Sequence, residues 1–293
     1  MQLTTDVKEA IRSSDSILMA VPSAYLEATL SPLPKDIFTG KKVISAIKGL
    51  IPGKNILLND YLKNEFSFDA NDYFTIMGPC HAEEVASEKL SYLTFTGLNE
   101  TTAEQLASMF ENHYINTVTN SDVYGVQFAA ILKNIYALAS GIANGLGYGD
   151  NFLSVLIANA ADEMAVFLRK VGIRNIEVGI HKEPIPGVQL IKNPLRKSAN
   201  YAASVYLGDL LVTCYSPYSR NRRFGTMIGK GYNVQTAQLE MNMVAEGYNA
   251  SRSVHLINTE VRADIPIAEM VYRILWEGLS PEEGFGMVEE TMI

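Results

Sequence analysis

The chain has 293 residues, enough for one large domain or two ordinary ones, and its 47% hydrophobic and 19% charged residues are typical of a globular protein. A formal net charge of −8 argues against nucleic acid and anionic membranes as main partners, and no apolar run is long enough to predict a membrane span. The two cysteines predict no disulfide framework and indicate a reducing, cytoplasmic setting, and the four scattered histidines lack the spacing of a metal site.

The first part of the chain alternates helix-like stretches with short apolar segments. A helix is predicted over residues 6–13, and a capping box, Thr101-x-x-Glu104, predicts another that ends near Asn112. Strands are predicted over residues 16–21, 42–47, 73–77, 92–96 and 114–118. Because these strands are continuously apolar, they predict an α/β domain whose sheet is covered on both faces.

The second part, from about residue 121, reads as helical throughout. Residues 124–149 are apolar all round, which predicts a buried helix, and further helices are predicted over 159–171, 223–229, 244–258 and 268–277, with a last one starting at Ser280. The glycines at 141, 145, 147 and 149 are interpreted as a helix end with a wide turn, since no Gly-Lys-Ser/Thr follows them. The predicted fold is therefore an α/β domain over residues 1–121 and an all-α domain over residues 122–293.

A cationic cluster stands out in this acidic chain. Arg220, Arg222 and Arg223 fall within four consecutive positions, with Asn221 between them and Asp209 upstream. The guanidinium group presents a planar fork of donors that matches phosphate oxygens, so the cluster favours a small anionic ligand. The alternative is a solvated helix start with exposed arginines, and these residues alone leave both open.

Lys133 is the one cation in the centre of the long apolar helix, and Asn134 follows it. A buried ammonium group is costly unless it is paired or faces a cavity, and burial lowers the pKa of a lysine toward values useful for proton transfer. In the alternative, Lys133 reaches the surface while its aliphatic stem packs. Taken alone, that alternative is the more common arrangement.

Several polar residues follow predicted strands or helix starts. Lys48 ends the second strand, where ligands bind in open α/β sheets, although an ordinary surface lysine before a turn is also compatible. Gly78 leads a turn into a helix and exposes backbone N–H groups, with Cys80 and His81 next to it. Nothing nearby in sequence would orient His81, which favours a structural role for it. Glu246 is interpreted as a solvated helix residue or a ligand contact.

Together these segments resemble the bacterial type of NAD(P)-dependent glycerol-3-phosphate dehydrogenase, over essentially the whole chain. The Leu132-Lys133-Asn134 and Ser219-Arg220-Asn221-Arg222 segments, in this order, are the most specific. The other matching segments are Val21-Pro22-Ser23, Ser45-Ala46-Ile47-Lys48-Gly49, Gly78-Pro79, Ala82-Glu83-Glu84, Gly125-Val126-Gln127, residues 141–151, Gly208-Asp209-Leu210 and Glu246-Gly247.

The resemblance implies a dinucleotide-binding domain, a helical substrate domain, and hydride transfer between glycerol 3-phosphate and dihydroxyacetone phosphate with NAD or NADP. It makes Lys133 the catalytic proton carrier, oriented with the substrate by Asp209, and places Lys48 between substrate and nicotinamide. The implied substrate-binding residues are Lys48, Gly78, Cys80, Asn134, Asp209, Ser219, Arg220 and Asn221. The implied cofactor-binding residues are Pro22, Lys48, Ala82, Arg220, Val244 and Glu246. No metal is implied, and a homodimer is compatible with the resemblance.

The chain departs from the family pattern in one important respect. It contains no G-x-G-x-x-G turn to cradle a pyrophosphate, so its sheet is predicted to be an incomplete Rossmann-like sheet. Three explanations are open. The gene start is displaced or the chain is a piece of a longer protein; the protein binds dinucleotide poorly; or another chain completes the sheet. A second departure, the lengthened approach to Asp209 over 181–187 and 200–203, puts the geometry around Asp209 in question.

Two other functions stay open at this stage. The chain could be a phospho-ligand binding protein that cannot bind the cofactor, using Arg220 and Asn221 without hydride transfer. It could also be a related dehydrogenase of another phosphorylated or carboxylated hydroxy compound. Cofactor binding separates the first alternative from the dehydrogenase, and a substrate panel separates the second.

If residues 1–293 act alone, we expect weak or absent binding of dinucleotide, and correspondingly weak dehydrogenase activity, because the pyrophosphate turn is absent. Titration of the chain with NADH and with NADPH, followed by nicotinamide fluorescence, measures this directly. Micromolar binding of either cofactor would refute the expectation.

Overall fold

The computed structural model of the chain describes residues 3–173, 205–241 and 245–292. Within these ranges the strands are β1 (Ser16–Met19), β2 (Lys42–Ser45), β3 (Tyr73–Met77), β4 (Ser91–Gly97) and β5 (Ile115–Asn120). The helices of the first part are α1 (Val7–Arg12), α2 (Leu26–Leu30), α3 (Leu58–Phe66), α4 (Ala82–Ala86) and α5 (Glu100–Ser108). Those of the second part are α6 (Val123–Leu146), α7 (Asp150–Lys170), α8 (Leu207–Tyr215), α9 (Arg220–Gly229), α10 (Val234–Glu240), α11 (Glu246–Val261), α12 (Pro266–Tyr272) and α13 (Pro281–Glu289).

The strands form one sheet in the order β1-β2-β3-β4-β5, and the predicted α/β domain followed by helices is confirmed. β1, β2 and β3 are mutually parallel, β4 runs antiparallel to β3, and β5 is parallel to β4. The carboxyl ends of the first three strands therefore lie at one edge of the sheet. Pro22, Lys48 and Gly78 follow those ends, so the topology gathers them at that edge.

Both faces of the sheet are covered around β2, β3 and β4, as the apolar strands predict, but the prediction is wrong for β1, where Leu18 is 49% exposed. Val43 and Tyr73 belong to a core that packs against the first helices of the chain, whereas their neighbours Ile44 and Phe74 belong to a second core that includes residues of α5. Successive side chains of a strand point to opposite faces, so the two cores lie on opposite sides of the sheet. A strand whose side chains are buried on both faces of the sheet has no polar face, which explains the continuous apolar runs.

Helix α6 is the centre of the helical part. Nineteen of its 24 residues are buried, and α7, α8, α9, α11 and α12 all pack against it. α6 and α7 are long and apolar enough to cross a membrane by length and composition alone, but 94% of the most apolar stretch of α6 is buried inside the protein. Its apolar surface therefore faces other helices.

Glycines bring α6 and α9 into close contact. A Cβ atom on Gly225 would collide with the backbone oxygen of Leu138, and one on Gly145 would lie 2.5 Å from the backbone oxygen of Thr226. The expectation that the glycines from 141 to 149 form only a helix end is therefore wrong for Gly141 and Gly145, which face α9. Gly147, at a φ of +92°, does end the helix.

Some predicted boundaries are wrong. The cap of α5 is Asn99, whose side chain accepts a hydrogen bond of 3.0 Å from the backbone N–H of Thr102, so the capping box at Thr101 does not start this helix. α7 begins at Asp150 and not at residue 159, because its first turns pack against α13 and α6. The lengthened segments at 181–187 and 200–203 lie outside the described residues.

We propose a domain boundary near residue 121, which divides the chain into residues 1–121 and 122–293. The boundary falls between the end of β5 and the start of α6. The core around α6 also includes Leu50, Leu57 and Met77 from the first part, so the two parts share apolar contacts. Those contacts hold the sheet edge against the helices that carry Lys133 and Asp209.

Substitution Gly225→Ala should destabilise the protein by about 1–3 kcal/mol, because a new methyl group would overlap the backbone of α6. The matched control is Gly286→Ala, in α13, where a Cβ would meet no atom within 4 Å. There the higher helix propensity of alanine should leave stability unchanged or raise it by up to about 1 kcal/mol. Urea denaturation of both variants checks this, and equal stabilities would contradict the close packing.

Candidate active site

A cavity of about 570 Å³ lies where the edge of the sheet meets α6 and α9. It brings together residues that the sequence spreads over almost 200 positions. Of the predicted site residues, its walls carry Lys48, Cys80, Ala82, Lys133, Asn134, Ser219, Arg220, Asn221 and Glu246. The walls also carry Arg223, from the predicted cationic cluster, and His81 and Thr213, which belonged to no predicted site.

Lys133, in the cavity wall, forms an ion pair with Asp209, which is fully buried and is not itself a lining residue. Nζ of Lys133 donates a hydrogen bond to Oδ1 of Asp209, and the two residues are only 4% and 1% exposed. The alternative in which Lys133 reaches the surface is therefore wrong. Burial lowers the pKa of Lys133 to about 8, since it outweighs the opposing charge of Asp209, and the positive charge of Lys48 acts in the same direction as burial.

Asp209 is held ionised by its surroundings. Burial alone would raise the pKa of this carboxyl group, but the charges of Lys133 and Lys48 outweigh burial and hold the pKa below its ordinary value. Its second oxygen, Oδ2, is buried and has no hydrogen-bond partner among the described residues. A buried carboxylate oxygen without a partner is unusual, so Oδ2 is available to a donor group on a ligand.

Thr213 is a cavity residue that the sequence analysis missed. It lies one turn after Asp209 on α8, and its hydroxyl group donates a hydrogen bond of 2.5 Å to the backbone oxygen of Asp209. Positions i and i+4 share a helix face, so a helix assigned over 207–215 would have placed Thr213 beside Asp209. None of the helices predicted from the sequence covers these residues.

Asn134 and Asn221 hold four parts of the site together. The side-chain amide of Asn221 donates to Oδ1 of Asn134 at 2.9 Å, and that of Asn134 donates to the backbone oxygen of Lys48 at 3.1 Å. The backbone N–H of Gly247 donates to Oδ1 of Asn221 at 3.0 Å. These bonds connect α6, α9 and α11 to the loop after β2, so both asparagines have a positioning role that the sequence does not reveal.

Arg220 is exposed at the first turn of α9 and faces the cavity. Ser219 is the N-cap of that helix, and its hydroxyl oxygen accepts a hydrogen bond of 3.3 Å from the backbone N–H of Arg222. The cluster is thus a helix start, as one alternative predicted. Arg220, Asn221 and Arg223 also line the cavity, as the other alternative predicted, whereas Arg222 does not. The partial positive charge of a helix N-terminus adds to the guanidinium charges and favours an anion.

Gly78 shapes the turn after β3 without lining the cavity. Its φ is +128°, and a Cβ atom would lie 2.5 Å from the backbone oxygen of Tyr92, so only glycine fits. The turn carries Cys80 and Ala82 into the cavity wall. Burial raises the pKa of the Cys80 thiol, which opposes a reactive thiolate.

Glu246 joins the two parts of the chain above the cavity. Its carboxylate accepts hydrogen bonds from the backbone N–H and the hydroxyl group of Ser23, the N–H bond measuring 2.9 Å. Gly49 lies against this pair, since a Cβ atom there would lie 2.7 Å from a carboxylate oxygen of Glu246. Val244, the other predicted residue of this region, lies outside the described residues.

A second groove, also of about 570 Å³, continues from the cavity past Arg220 and Met241, which line both. Its walls include Pro22, Tyr25 and Tyr248. A guanidinium group beside apolar and aromatic walls suits a flat, phosphate-linked ring system, so the residues present fit a nicotinamide cofactor at this edge of the sheet.

Comparisons with known proteins agree with this geometry. Residues 1–103 match the family described as the NAD-dependent glycerol-3-phosphate dehydrogenase N-terminus, and residues 122–285 match the corresponding C-terminus. The chain is 32% identical over 279 residues to the glycerol-3-phosphate dehydrogenase (NAD(P)+) of Bacillus pumilus. The aligned region covers 95% of this chain and 74% of that protein. The enzyme of the same name from Bacillus subtilis is 32% identical over 280 residues, with the same coverage.

Solved structures show the same fold. The crystal structure of glycerol-3-phosphate dehydrogenase from Coxiella burnetii superposes with a TM-score of 0.83 at 25% identity and covers 97% of this chain and 80% of that chain. Glycerol-3-phosphate dehydrogenase from Saccharomyces cerevisiae gives a TM-score of 0.75 at 22% identity and covers 98% of this chain and 78% of that chain, a likeness in fold. The chain therefore belongs to the NAD-dependent glycerol-3-phosphate dehydrogenase family.

Proposed function

We propose that the protein interconverts glycerol 3-phosphate and dihydroxyacetone phosphate by hydride transfer, with NAD or NADP as cofactor. The observation that carries the proposal is the buried ion pair of Lys133 and Asp209, of which Lys133 lines a cavity whose wall also presents Arg220. The pair supplies a proton carrier with a lowered pKa, and the guanidinium group supplies a partner for a phosphate. The first removes the hydroxyl proton as an alcohol becomes a ketone, and the second binds the phosphate group and so orients the substrate.

Lys133 moves the proton of the reacting hydroxyl group. A bound nicotinamide ring would accept the hydride in oxidation and supply it in reduction. In oxidation the neutral amine of Lys133 takes the proton from the hydroxyl group at C2, and in reduction the ammonium group returns it to the forming alcohol. A pKa near 8 keeps both forms of the amine populated close to neutral pH.

Asp209 orients Lys133 and the substrate. One carboxylate oxygen holds the amine of Lys133 in place, and the buried Oδ2 is free to accept a hydrogen bond from a substrate hydroxyl group. Because its negative charge raises the pKa of Lys133 against the effect of burial, Asp209 also sets the pH range in which Lys133 can act. Its place on α8, buried against α6, fixes this geometry.

The phosphate group binds at the start of α9. Arg220 and the N-terminal turn of the helix supply positive charge, while Ser219 and Asn221 shape the turn. Lys48, at the end of β2, faces the same cavity and contributes a second cation between substrate and cofactor. Asn134 contributes to the pocket through its hydrogen bond to the backbone oxygen of Lys48. Gly78 and Cys80 contribute through the turn after β3.

The cofactor residues we propose, apart from Val244, which lies outside the described residues, line the cavity or the adjoining groove. Arg220 and Lys48 would contact both ligands, and the further cofactor contacts are Pro22, Ala82, Val244 and Glu246. The partner of the protein is thus a small phosphorylated substrate, and its place is the cytoplasm. A homodimer stays a prediction.

In an enzymatically active preparation, Lys133→Ala should lower turnover by about 100- to 10,000-fold, because the reacting hydroxyl group loses its proton carrier. Circular dichroism should show the same fold, with a lower melting temperature because the buried Asp209 loses its partner. Lys230→Ala, an exposed lysine at the end of α9, is the matched control and should keep the turnover of the wild type. Wild-type turnover in Lys133→Ala would remove Lys133 from the mechanism.

The pH dependence of kcat/KM should report Lys133. Oxidation needs the neutral amine, so its rate should rise with pH and level off above about 8, whereas reduction needs the ammonium group and should fall through the same range. Asp209→Asn removes the negative charge that raises the pKa of Lys133, so both profiles should shift to lower pH. Profiles with an unchanged midpoint in this variant would contradict the coupling.

Arg220→Ala should weaken substrate binding more than turnover, because the guanidinium group contacts the non-reacting phosphate. We expect the KM for glycerol 3-phosphate to rise about tenfold or more, as is common when a charge-assisted hydrogen bond is lost. Arg12→Ala, on the remote helix α1, is the control. An unchanged KM in Arg220→Ala would exclude the proposed phosphate contact.

A further inference from the structure

His81 lies in the cavity wall without a role in the proposed chemistry. The turn led by Gly78 brings it there, and its ring contacts that of Tyr218, with centroids 6.3 Å apart. Nε2 of the ring is fully buried and has no hydrogen-bond partner among the described residues. His81 is the N-cap residue of α4, but its side chain makes no capping hydrogen bond, so capping does not account for the position of the ring.

The ring is held neutral by its surroundings. Burial lowers the pKa of His81, and the nearby charges of Lys133 and Lys48 lower it further, against the opposing effects of Asp209 and Glu84. Protonation of the imidazole would place a third positive charge near those of Lys133 and Lys48, which repel it. His81 therefore offers the cavity a neutral hydrogen-bonding group, whereas Lys48, Arg220 and Arg223 offer cations.

This division of charge indicates which part of a ligand each group contacts. The cations match a phosphate group, and the pair of Lys133 and Asp209 matches the reacting hydroxyl group. Glycerol 3-phosphate has one polar group left, the uncharged hydroxyl group at C1. A neutral imidazole nitrogen that lacks a partner is complementary to that group, as either acceptor or donor.

We propose that His81 hydrogen-bonds the terminal C1 hydroxyl group of the three-carbon substrate and so determines specificity for it; this rests on the proposed function. A site built to bind a hydroxyl group rejects the analogue that lacks it, because its buried polar atom is then left unpaired. His81 is thus a specificity residue: it contacts the end of the substrate that does not react.

Calorimetric titration of the 293-residue protein with two ligands tests this without requiring turnover. The ligands are glycerol 3-phosphate and propane-1,2-diol 1-phosphate, which differ only in the C1 hydroxyl group. The variants are His81→Phe, which keeps a ring against Tyr218 but removes the nitrogens, and His81→Gln, which keeps a polar atom at a similar reach. His113→Phe, at an exposed histidine paired with Glu88, is the control.

We expect the wild type and His113→Phe to bind glycerol 3-phosphate about tenfold more tightly than the deoxy analogue. His81→Phe should bind both ligands with the weaker affinity, and His81→Gln should recover part of the difference. If His81→Phe weakens both ligands equally, or neither, the assignment of His81 is overturned while the proposed function stands. If the wild type binds neither ligand, the proposed function fails, and the role of His81 fails with it.

Discussion

Lys133 and Asp209 share a buried ion pair on which the geometry of the whole cavity depends. Each charge loses several kcal/mol of hydration when it is buried, and only the partner makes that burial tolerable. The pair therefore constrains α6 and α8 to face each other at these two positions. The same burial lowers the pKa of Lys133 toward neutrality, so one interaction both organises the helices and provides the proton carrier.

Close backbone contacts and amide hydrogen bonds keep this pair at the edge of the sheet. Glycines allow α9 to lie directly against α6, which brings Arg220 to the cavity that holds Lys133. Asn134 and Asn221 then tie both helices to the loop that carries Lys48. Rigid elements thus position the cations, the amine and the carboxylate, the arrangement that catalysis by orientation requires.

Much of this architecture follows from local sequence patterns, and the rest depends on distant contacts. Apolar runs predicted the five strands, and the all-round apolar character of α6 predicted its burial, because both signals are local in the sequence. The bond between Ser23 and Glu246 joins residues 223 positions apart, and no local pattern marks it. The close packing of Gly141 on α9 was missed for the same reason, since a glycine in a helix is compatible with either a contact or an ending.

The pKa of the Lys133 ε-amine is the quantity that tests this account most directly. It can be measured by NMR titration of protein labelled with isotope at lysine, with the Lys133 signal assigned by its loss in Lys133→Arg. Burial against Asp209 predicts a titration midpoint at about 8. A midpoint at or above the ordinary lysine value of 10.5 would show that the amine is solvated or fully charge-stabilised, and it would contradict the role of Lys133 as the proton carrier.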